Sequence, residues 1–352
     1  MIETDIASYK LTQYSHGAGC GCKIAPEVLD NILKTNLAAP DNKKLLVGNS
    51  SKDDAAVYDL GNGTALVTTT DFFMPIVDDP FSFGKIAGAN AISDVYAMGG
   101  TPIVAIAILG WPIDKLPAAV AHQVIEGARS ICAEAGISLA GGHSIDSPEP
   151  IFGLAVNGIV AINNLKRNSS AEVGDVLFLT KPLGIGILST AQKRNLLSDE
   201  HLDIMMKQLM QLNKIGQELG NITGVHAMTD VTGFGLLGHL LEMCEGSGTS
   251  ASLSYSQVPV IPAAKTYLAQ RVIPGGSKRN WNSYEHKISI AGNLNIQEAI
   301  DLLPDPQTNG GLLIAVDKAH AATVTALLKA NHLYDQIIGK ITAAHEIKVS
   351  VY

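Results

Sequence analysis

The spacing of apolar residues over the first half of the chain predicts a domain of mixed strands and helices. Two strand-like runs flank the turn sequence LGNG at 60–63 and predict a β-hairpin within 43–73. Small and apolar residues at 81–100 predict a buried helix that stops at Gly99 and Gly100. Beyond this helix, the pattern predicts a strand at 102–109, a helix at 117–135, and strands at 137–140 and 151–162.

The second half of the chain begins after a polar, turn-rich stretch at 163–175, which predicts a domain boundary. From Val176 the order is a strand VLFLT, a glycine turn with a helix, one long amphipathic helix at 204–219, and a strand VHAMT. A second glycine turn, a helix, a strand at 251–260 and further strands follow. We therefore expect an α+β (mixed α/β) protein of two domains.

The composition is that of an ordinary globular protein, with 352 residues of which 46% are hydrophobic and 16% charged. The formal net charge of −8 argues against binding to nucleic acid or to an anionic membrane, because such surfaces need clustered Lys and Arg. The strongest apolar run, at 101–113, is too short to span a bilayer, and the first ten residues contain no secretory apolar core. With only four cysteines, the chain is expected in a reducing cytoplasm.

Four aspartates stand at the ends of apolar elements or inside them, rather than in charged surface runs: Asp54, Asp71, Asp94 and Asp230. Taken singly, they could be a solvated hairpin flank, a turn residue, a salt-bridge partner of Lys85 and a helix N-cap, respectively. Taken together, four oxygen donors with few compensating cations favour Mg²⁺, which prefers carboxylate, water and phosphate oxygens.

The segment TDVTGFGLLGH contains the pattern G-x-G-x-x-G at Gly233, Gly235 and Gly238, between a predicted strand and a predicted helix. A dinucleotide site would also need an acidic residue about 20 positions further on, and 251–260 contains none. No P-loop sequence occurs either. Any ATP is therefore expected to be held by acidic residues and metal.

The stretch SHGAGCGCKI at 15–24 carries the remaining candidate chemistry. The C-x-C spacing of Cys20 and Cys22 suits neither a zinc site nor a disulfide well, and the other two cysteines are expected to be core residues on apolar helix faces. The remaining interpretation is a reactive thiolate on a glycine-rich arm, stabilised by positive charge on Lys23 and His16.

Several motifs occur together in one order: SHGAGCGCK, DDAAVY, TTDFF, NAISDVYAMGG, LAGGHSID, TDVTGFGLLGH and DPQTNGGLL. In these motifs, over almost its whole length, the chain resembles selenophosphate synthetase (selenide, water dikinase), a relative of the aminoimidazole ribonucleotide synthetases. The resemblance implies an enzyme that converts ATP, selenide and water into selenophosphate, AMP and phosphate. It also implies the aminoimidazole ribonucleotide synthetase-like fold, with a dimer-forming β-sheet in the N-terminal domain and an α/β sandwich in the C-terminal domain.

The resemblance divides the chain into a glycine-rich mobile segment at 1–47 that carries Cys20 and Lys23, an ATP- and magnesium-binding domain at 48–163, and a C-terminal domain at 170–352. It implies that Cys20 and Lys23 are catalytic. The implied magnesium ligands are Asp54, Asp94 and Asp230. The implied ATP contacts are Lys23, Ser51, Lys52, Asp53, Asp71 and Asp94, with Gly142, His143 and Ser144 reaching ATP from the partner subunit of a homodimer.

One departure from the family pattern is Asn309 in DPQTNGGLL, where the family usually has Ser. The expected fold tolerates this change. A role that requires a hydroxyl group at this position is put in doubt. Two alternatives stay open at this point: another ATP-dependent synthetase or kinase of the same superfold, and a non-catalytic protein that binds metal through Cys20, Cys22 and His16. A selenium-delivery protein is a further expected partner, and Cys22 is expected to be auxiliary.

Overall fold

The computed structural model describes residues 6–24, 26–35, 42–49 and 52–352, which form two sheets, each packed against helices. The first sheet has six strands in the order β1-β2-β3-β6-β4-β5, and all neighbours are antiparallel except β4 and β5. Its strands are β1 (Leu45–Val47), β2 (Ala56–Asp59), β3 (Thr64–Phe73), β4 (Thr101–Trp111), β5 (Ser138–Asp146) and β6 (Ile151–Ala161).

The helices of the first half are α1 (Pro26–Leu33), α2 (Pro80–Ala97) and α3 (Ala118–Ala135). The helix α2 is buried along nearly its whole length, because it packs on β3, β6 and α3 and also meets the second domain. Its backbone approaches α3 closely at Gly84, where a Cβ atom would lie 1.8 Å from the carbonyl oxygen of Val124. The predicted hairpin and the predicted helices at 81–100 and 117–135 are confirmed.

The second sheet has seven strands in the order β10-β13-β9-β12-β7-β11-β8. Its strands are β7 (Val176–Leu179), β8 (Val225–Asp230), β9 (Ser250–Leu253), β10 (Ile288–Ile290), β11 (Leu312–Val316), β12 (Ile337–Thr342) and β13 (Val349–Val351). Its helices are α4 (Ile185–Lys193), α5 (Asp199–Met210), α6 (Ile215–Gly220), α7 (Gly235–Ser247), α8 (Pro262–Ala269), α9 (Gly275–Tyr284), α10 (Ile296–Leu302) and α11 (Ala321–Ala330). The expected mixed α/β architecture of two domains is confirmed.

The single long helix predicted at 204–219 is wrong, because the chain forms α5 and α6 with a break between them. The break turns Asn213 into the interior, where its side chain donates to Ser93 Oγ (2.8 Å) and to the carbonyl oxygen of Gly310 (2.9 Å). It also frees the carbonyl of Gln211 to accept from the buried side chain of Lys181. These tertiary hydrogen bonds replace the helical ones that the amphipathic pattern predicted.

Two predicted strands have different lengths in the structure. The strand β5 runs on to Asp146, since it stays paired with β4 along its length. The strand predicted at 251–260 ends at Leu253 and continues as a 3₁₀ turn at Tyr255–Gln257. In addition, β1 lies within the stretch predicted as a mobile segment at 1–47, yet it pairs with β2 in the first sheet.

The described part of the N-terminal stretch before α1 lies across both domains. The backbone N–H of Gly19 donates to the carbonyl oxygen of Met74 in the first domain, and that of Cys20 donates to Thr308 Oγ1 in the second. Leu11 is fully buried. This stretch therefore packs as part of the folded core. Within the described ranges, no helix combines the length and apolar character needed to cross a membrane.

Candidate active site

A cavity of about 570 Å³ lies between the two domains and collects most of the predicted site residues. We call it the acidic cavity, because its wall holds six carboxylates and three lysines. The strand β3 contributes Asp71, α2 contributes Asp94, and the end of β8 contributes Asp230. The other charged residues of the wall are Lys23, Lys34, Lys52, Asp53, Asp54 and Glu242.

Hydroxyl groups orient three of these carboxylates. Thr69 Oγ1 donates to Asp94 Oδ2 (2.5 Å), Ser93 Oγ donates to Asp230 Oδ2 (2.6 Å), and Thr229 Oγ1 donates to Asp54 Oδ1 (2.7 Å). Two of the four alternatives for single aspartates are wrong: Lys85 pairs with Glu134 instead of Asp94, and the N-cap residue of α7 is Phe234 instead of Asp230. The four aspartates therefore form one group.

Burial and mutual repulsion disfavour the charged forms of these carboxylates. Burial first, and then the charges of Asp230 and Asp53, raise the pKa of Asp54 well above its usual value. Burial, with Asp230 and Asp71, does the same to the pKa of Asp94. Burial raises the pKa of Asp230 to about 6 against the hydrogen bond from Ser93. A cation bound among these aspartates would stabilise their charged forms, because it would offset their mutual repulsion.

The donor chemistry fits a hard cation such as Mg²⁺. The ligating atoms are all oxygens, and Asp54 Oδ2 is buried with no hydrogen-bond partner among the described residues. No three Asp, Glu, His or Cys side chains in the described ranges are already close enough to hold an ion by themselves. Mg²⁺ commonly completes its shell with water and substrate phosphate oxygens, so one or two carboxylates per ion would suffice.

Lys23 provides positive charge inside this acidic wall. Its Nζ lies 3.4 Å from Asp71 Oδ1, with 37% of the side chain still exposed. Burial opposes the charged form of Lys23, but the surrounding negative charges, first that of Asp71, outweigh burial and raise the pKa of Lys23. The ammonium is therefore charged at every physiological pH and faces the space where an anionic ligand would lie.

Cys20 is joined to the same network although its side chain is only 1% exposed. Its Sγ donates to Asn90 Oδ1 (3.3 Å), and the Asn90 amide donates to Asp71 Oδ2. The neighbouring Gly19 has φ +50°, and a Cβ there would lie 2.5 Å from Thr308 Oγ1, so glycine is required for this close approach. The sequence offered a signal for Asn90, which lies one helical turn before Asp94.

The predicted ATP contacts near 51–53 are partly described. Ser51 lies outside the described residues, whereas Lys52 and Asp53 both line the acidic cavity. Asn168 holds this loop, because its backbone N–H donates to Asp53 Oδ1 (3.1 Å) and its side chain donates to the carbonyl oxygen of Lys52 (2.8 Å). Sequence reasoning had missed Asn168, and no local motif marks it.

The predicted contacts from a partner subunit lie away from this cavity in their own chain. Gly142, His143 and Ser144 belong to β5, an edge strand of the first sheet whose residues are almost all exposed. In the part of the chain that the structure describes, none of the three lines the acidic cavity.

The glycines of the G-x-G-x-x-G pattern allow close packing around Cys20 and Lys23. A Cβ at Gly233 would lie 2.7 Å from the carbonyl oxygen of Cys20, and one at Gly235 would lie 2.5 Å from the backbone of Pro304. In the helix that follows, His239 Nε2 accepts from the backbone N–H of Thr232 (3.1 Å). Burial, and then the charge of Lys23, lower the pKa of His239 to about 3, so the imidazole is neutral.

Cys132 and Cys244 behave as core residues, whereas the side chain of Cys22 lies outside the described part of the structure. Cys132 and Cys244 are fully buried, and burial raises the pKa of their thiols to about 11 and about 12, respectively. The prediction that both are structural is confirmed. The ring of His16, expected near Cys20, pairs instead with Glu149 at 2.9 Å.

Comparison with known proteins adds information on both domains. Residues 52–160 match the sequence model of the AIR synthase related protein, N-terminal domain, and residues 172–352 match that of the C-terminal domain. A selenide, water dikinase of Aeromonas hydrophila is 59% identical over 96% of this chain and 97% of its own length. The protein of the same name from Yersinia pestis is 59% identical over 95% of both chains.

Solved structures resemble the fold at low sequence identity. AaThiL in complex with AMPPCP and TMP has a TM-score of 0.66 at 18% identity and covers 93% of each chain. Hydrogenase maturation protein HypE in complex with ATP has a TM-score of 0.62 at 17% identity, covering 87% of this chain and 83% of its own. At such identities the likeness establishes a shared architecture.

Proposed function

This chain belongs to the selenide, water dikinase family, and from that premise we propose that it is a phosphotransferase that converts ATP, selenide and water into selenophosphate, AMP and phosphate. The observation that carries the proposal is the meeting of Lys23 with five aspartates in one cavity, with Cys20 joined to them through Asn90. Phosphoryl transfer depends mainly on positioning and charge neutralisation, which such a wall supplies without a P-loop.

Lys23 is proposed to hold the phosphoryl group that is transferred. Its ammonium lies 3.4 Å from Asp71 Oδ1 in the wall of the acidic cavity, and it stays charged because the neighbouring carboxylates raise its pKa. A fixed positive charge in a partly dry site stabilises charge that develops on phosphoryl oxygens. Lys52 and Asp53, on the loop held by Asn168, are proposed to contact ATP at the same cavity, and so is Ser51.

Asp54, Asp94 and Asp230 are proposed as Mg²⁺ ligands, and Asp71 as a contact to both metal and ATP. When bound, Mg²⁺ neutralises triphosphate charge and fixes the orientation of the γ-phosphate. The hydroxyl groups of Thr69, Ser93 and Thr229 each donate to one oxygen of a carboxylate, which leaves the other oxygen of that carboxylate as the proposed metal ligand. Two magnesium-dependent properties follow: ATP binding and thermal stabilisation by ATP.

Cys20 is proposed to position selenium for attack on the γ-phosphorus. Its thiol lies beside Asn90, within the same hydrogen-bond network as the Asp71 and Lys23 pair. A cysteine thiol is a weak hydrogen-bond donor, so it can contact a selenide anion without any transfer of electrons. The glycine on each side of Cys20 allows this part of the chain to close tightly over the substrates.

A homodimer is proposed in which β5 of one subunit serves the ATP site of the other. The exposed edge of β5 supports this arrangement, because an unpaired strand edge offers backbone groups for pairing with a second chain. We further propose a reducing, cytoplasmic location, which agrees with the absence of a disulfide at Cys20, Cys132 and Cys244 in the described part of the chain. A selenium-delivery protein stays a prediction.

The decisive experiment is phosphorus NMR of the protein with ATP, Mg²⁺ and selenide under anaerobic conditions. We expect selenophosphate, AMP and phosphate to appear together, and Lys23→Met and Cys20→Ser to abolish or strongly reduce them. Lys207→Met, an exposed position on α5, is the matched control and should behave as the wild type. A folded wild-type protein that produces no selenophosphate would refute the proposal, and full activity of Cys20→Ser would remove Cys20 from it.

A further inference from the structure

A second cavity, of about 370 Å³, lies against the stretch 16–21, and none of its described wall residues also lines the acidic cavity. We call it the basic cavity. Lys193 is the last residue of α4, Arg194 is its C-cap residue, and α9 contributes Arg279. Apolar and small residues form most of the remaining wall.

The basic cavity has the opposite charge to the acidic cavity. Among its described wall residues, three are the cations Lys193, Arg194 and Arg279, and none is Asp or Glu. Among the side chains that the structure describes, no carboxylate lies within salt-bridge distance of Lys193, Arg194 or Arg279. Their charges are therefore available to attract an anion.

Two of the cations also hold the backbone that carries Cys20. Lys193 Nζ donates to the carbonyl oxygens of Ser15 (3.2 Å) and His16 (3.1 Å), and an Arg279 guanidinium nitrogen donates to that of Gly21 (2.9 Å). Carbonyl groups are dipoles without net charge, so these bonds fix the cations in place and leave their positive charge uncancelled.

The wall of the basic cavity reaches the immediate neighbours of Cys20. Gly21 follows Cys20 in the chain, and Thr308 accepts a hydrogen bond from the Cys20 backbone N–H at 3.0 Å. On the other side of Cys20, Lys23 faces the acidic cavity. Cys20 therefore lies next to residues that line the basic cavity, Gly21 and Thr308, and three positions before Lys23, which lines the acidic cavity.

We propose that the basic cavity is the access route of the selenium substrate, the hydrogen selenide anion, which approaches Cys20 through it while ATP occupies the acidic cavity. This inference rests on the proposed function. Hydrogen selenide is a monoanion at neutral pH, and it would be repelled by the carboxylates of the acidic cavity and by the triphosphate. A water-filled cleft lined by cations raises the local concentration of such an anion.

Arg194 is the best position at which to test the charge of the basic cavity, because Lys193 and Arg279 also donate hydrogen bonds to the backbone near Cys20. We expect Arg194→Glu to raise the KM for selenide by about threefold or more, since it replaces an attractive charge by a repulsive one, and to leave the KM for ATP unchanged. Added salt should shrink the difference. The matched control is Lys329→Glu on the exposed face of α11, which makes the same change in net charge and should alter neither KM. An unchanged KM for selenide in Arg194→Glu would overturn the proposal.

A second measurement does not depend on turnover. In a Cys22→Ser background, Cys20 is alkylated with iodoacetate, an anion, and with iodoacetamide, its neutral counterpart, and the modified peptide is quantified by mass spectrometry. We expect Arg194→Glu to lower the iodoacetate to iodoacetamide rate ratio relative to the wild type and to Lys329→Glu. An equal ratio in all three proteins would refute access through the basic cavity even if selenophosphate is made. A lowered ratio without selenophosphate in the wild type would instead refute the function and, with it, the assignment to selenium.

Discussion

The Sγ of Cys20 donates a hydrogen bond to Oδ1 of Asn90 over 3.3 Å. The same oxygen accepts from the backbone N–H of Asn309 at 2.7 Å, and the amide nitrogen of Asn90 donates to Asp71. One buried carboxamide on α2 therefore joins the N-terminal stretch, the acidic cavity and a loop of the second domain. The position of the thiol depends on this residue.

Asn90→Ala should loosen this junction. The Asn309 N–H would be left buried without its partner, so we expect the free energy of unfolding to fall by about 1–3 kcal/mol. Cys20 should also become more accessible to iodoacetamide. Chemical denaturation and mass-spectrometric alkylation rates measure the two effects, and Asn282→Ala, at an exposed position, is the control. Unchanged alkylation would show that Asn90 does not hold the thiol.

Asp54→Asn should stabilise the protein in the absence of divalent cations and weaken its response to ATP. The buried Oδ2 of Asp54 has no partner among the described residues, and Asp230 and Asp53 repel its charge. The pKa of Asp54 is higher in the folded protein than in the unfolded chain, where it is near 4. The charged carboxylate therefore destabilises the fold at pH values above about 4, and the destabilisation grows as the pH rises. We expect a gain of about 1–3 kcal/mol at neutral pH.

Thermal unfolding between pH 5 and pH 8 measures this gain, with and without Mg²⁺ and ATP. The wild type should be stabilised by Mg²⁺ with ATP, and Asp54→Asn much less so. Asp203→Asn, on the exposed face of α5, removes the same charge without relieving the cluster and should leave the Tm unchanged. A lower Tm for Asp54→Asn than for the wild type would contradict the account of the site.

His239→Gln should reduce the acid sensitivity of the protein. Burial lowers the pKa of His239 to about 3 in the folded state, against about 6.5 in the unfolded chain. The stability that this neutral imidazole contributes is complete above pH 6.5 and is lost as pH falls toward 3. Below pH 6, the wild type should therefore lose about 1.4 kcal/mol of unfolding free energy relative to the variant for each pH unit that the pH falls.

Denaturant titrations at pH 4.5, 5.5 and 7 test this slope. Glutamine keeps an oxygen that can accept from the Thr232 N–H, so the variant should fold at pH 7. His122→Gln, at an exposed position on α3, should follow the wild type. Parallel curves for wild type and His239→Gln would mean that His239 takes up a proton without cost in the folded protein.

Asn309→Ser should destabilise the protein even though the family usually has Ser at this position. Asn309 has φ +47°, a conformation that Asn tolerates better than most residues, and its amide donates to the carbonyl oxygens of Leu209 (2.8 Å) and Gln211 (2.9 Å). A serine hydroxyl can donate only one of these bonds. We expect a loss of about 1–3 kcal/mol, measured by chemical denaturation. A rise in selenophosphate synthesis in this variant would instead reveal a role for a hydroxyl.

Local patterns predicted much of the fold. The hairpin around 60–63, the helices α2 and α3 and the order of strand, turn and helix after Val176 all follow from periodicity and turn residues that act over a few positions. The aspartates were recognised because each interrupts an apolar element. The family motifs relate Cys20 and Lys23 to the aspartates by their order in the sequence alone.

The sequence by itself determined most of the elements, the candidate residues and the family, because each rests on neighbouring positions or on motif order. Only the tertiary structure decided the break between α5 and α6, the pairing of Asn90 with Cys20, and the separation of an acidic from a basic cavity. These features depend on contacts between residues far apart in the chain, such as Cys20 with Thr308 and Gly21 with Arg279. Packing of the two domains creates these contacts, and no local pattern encodes them.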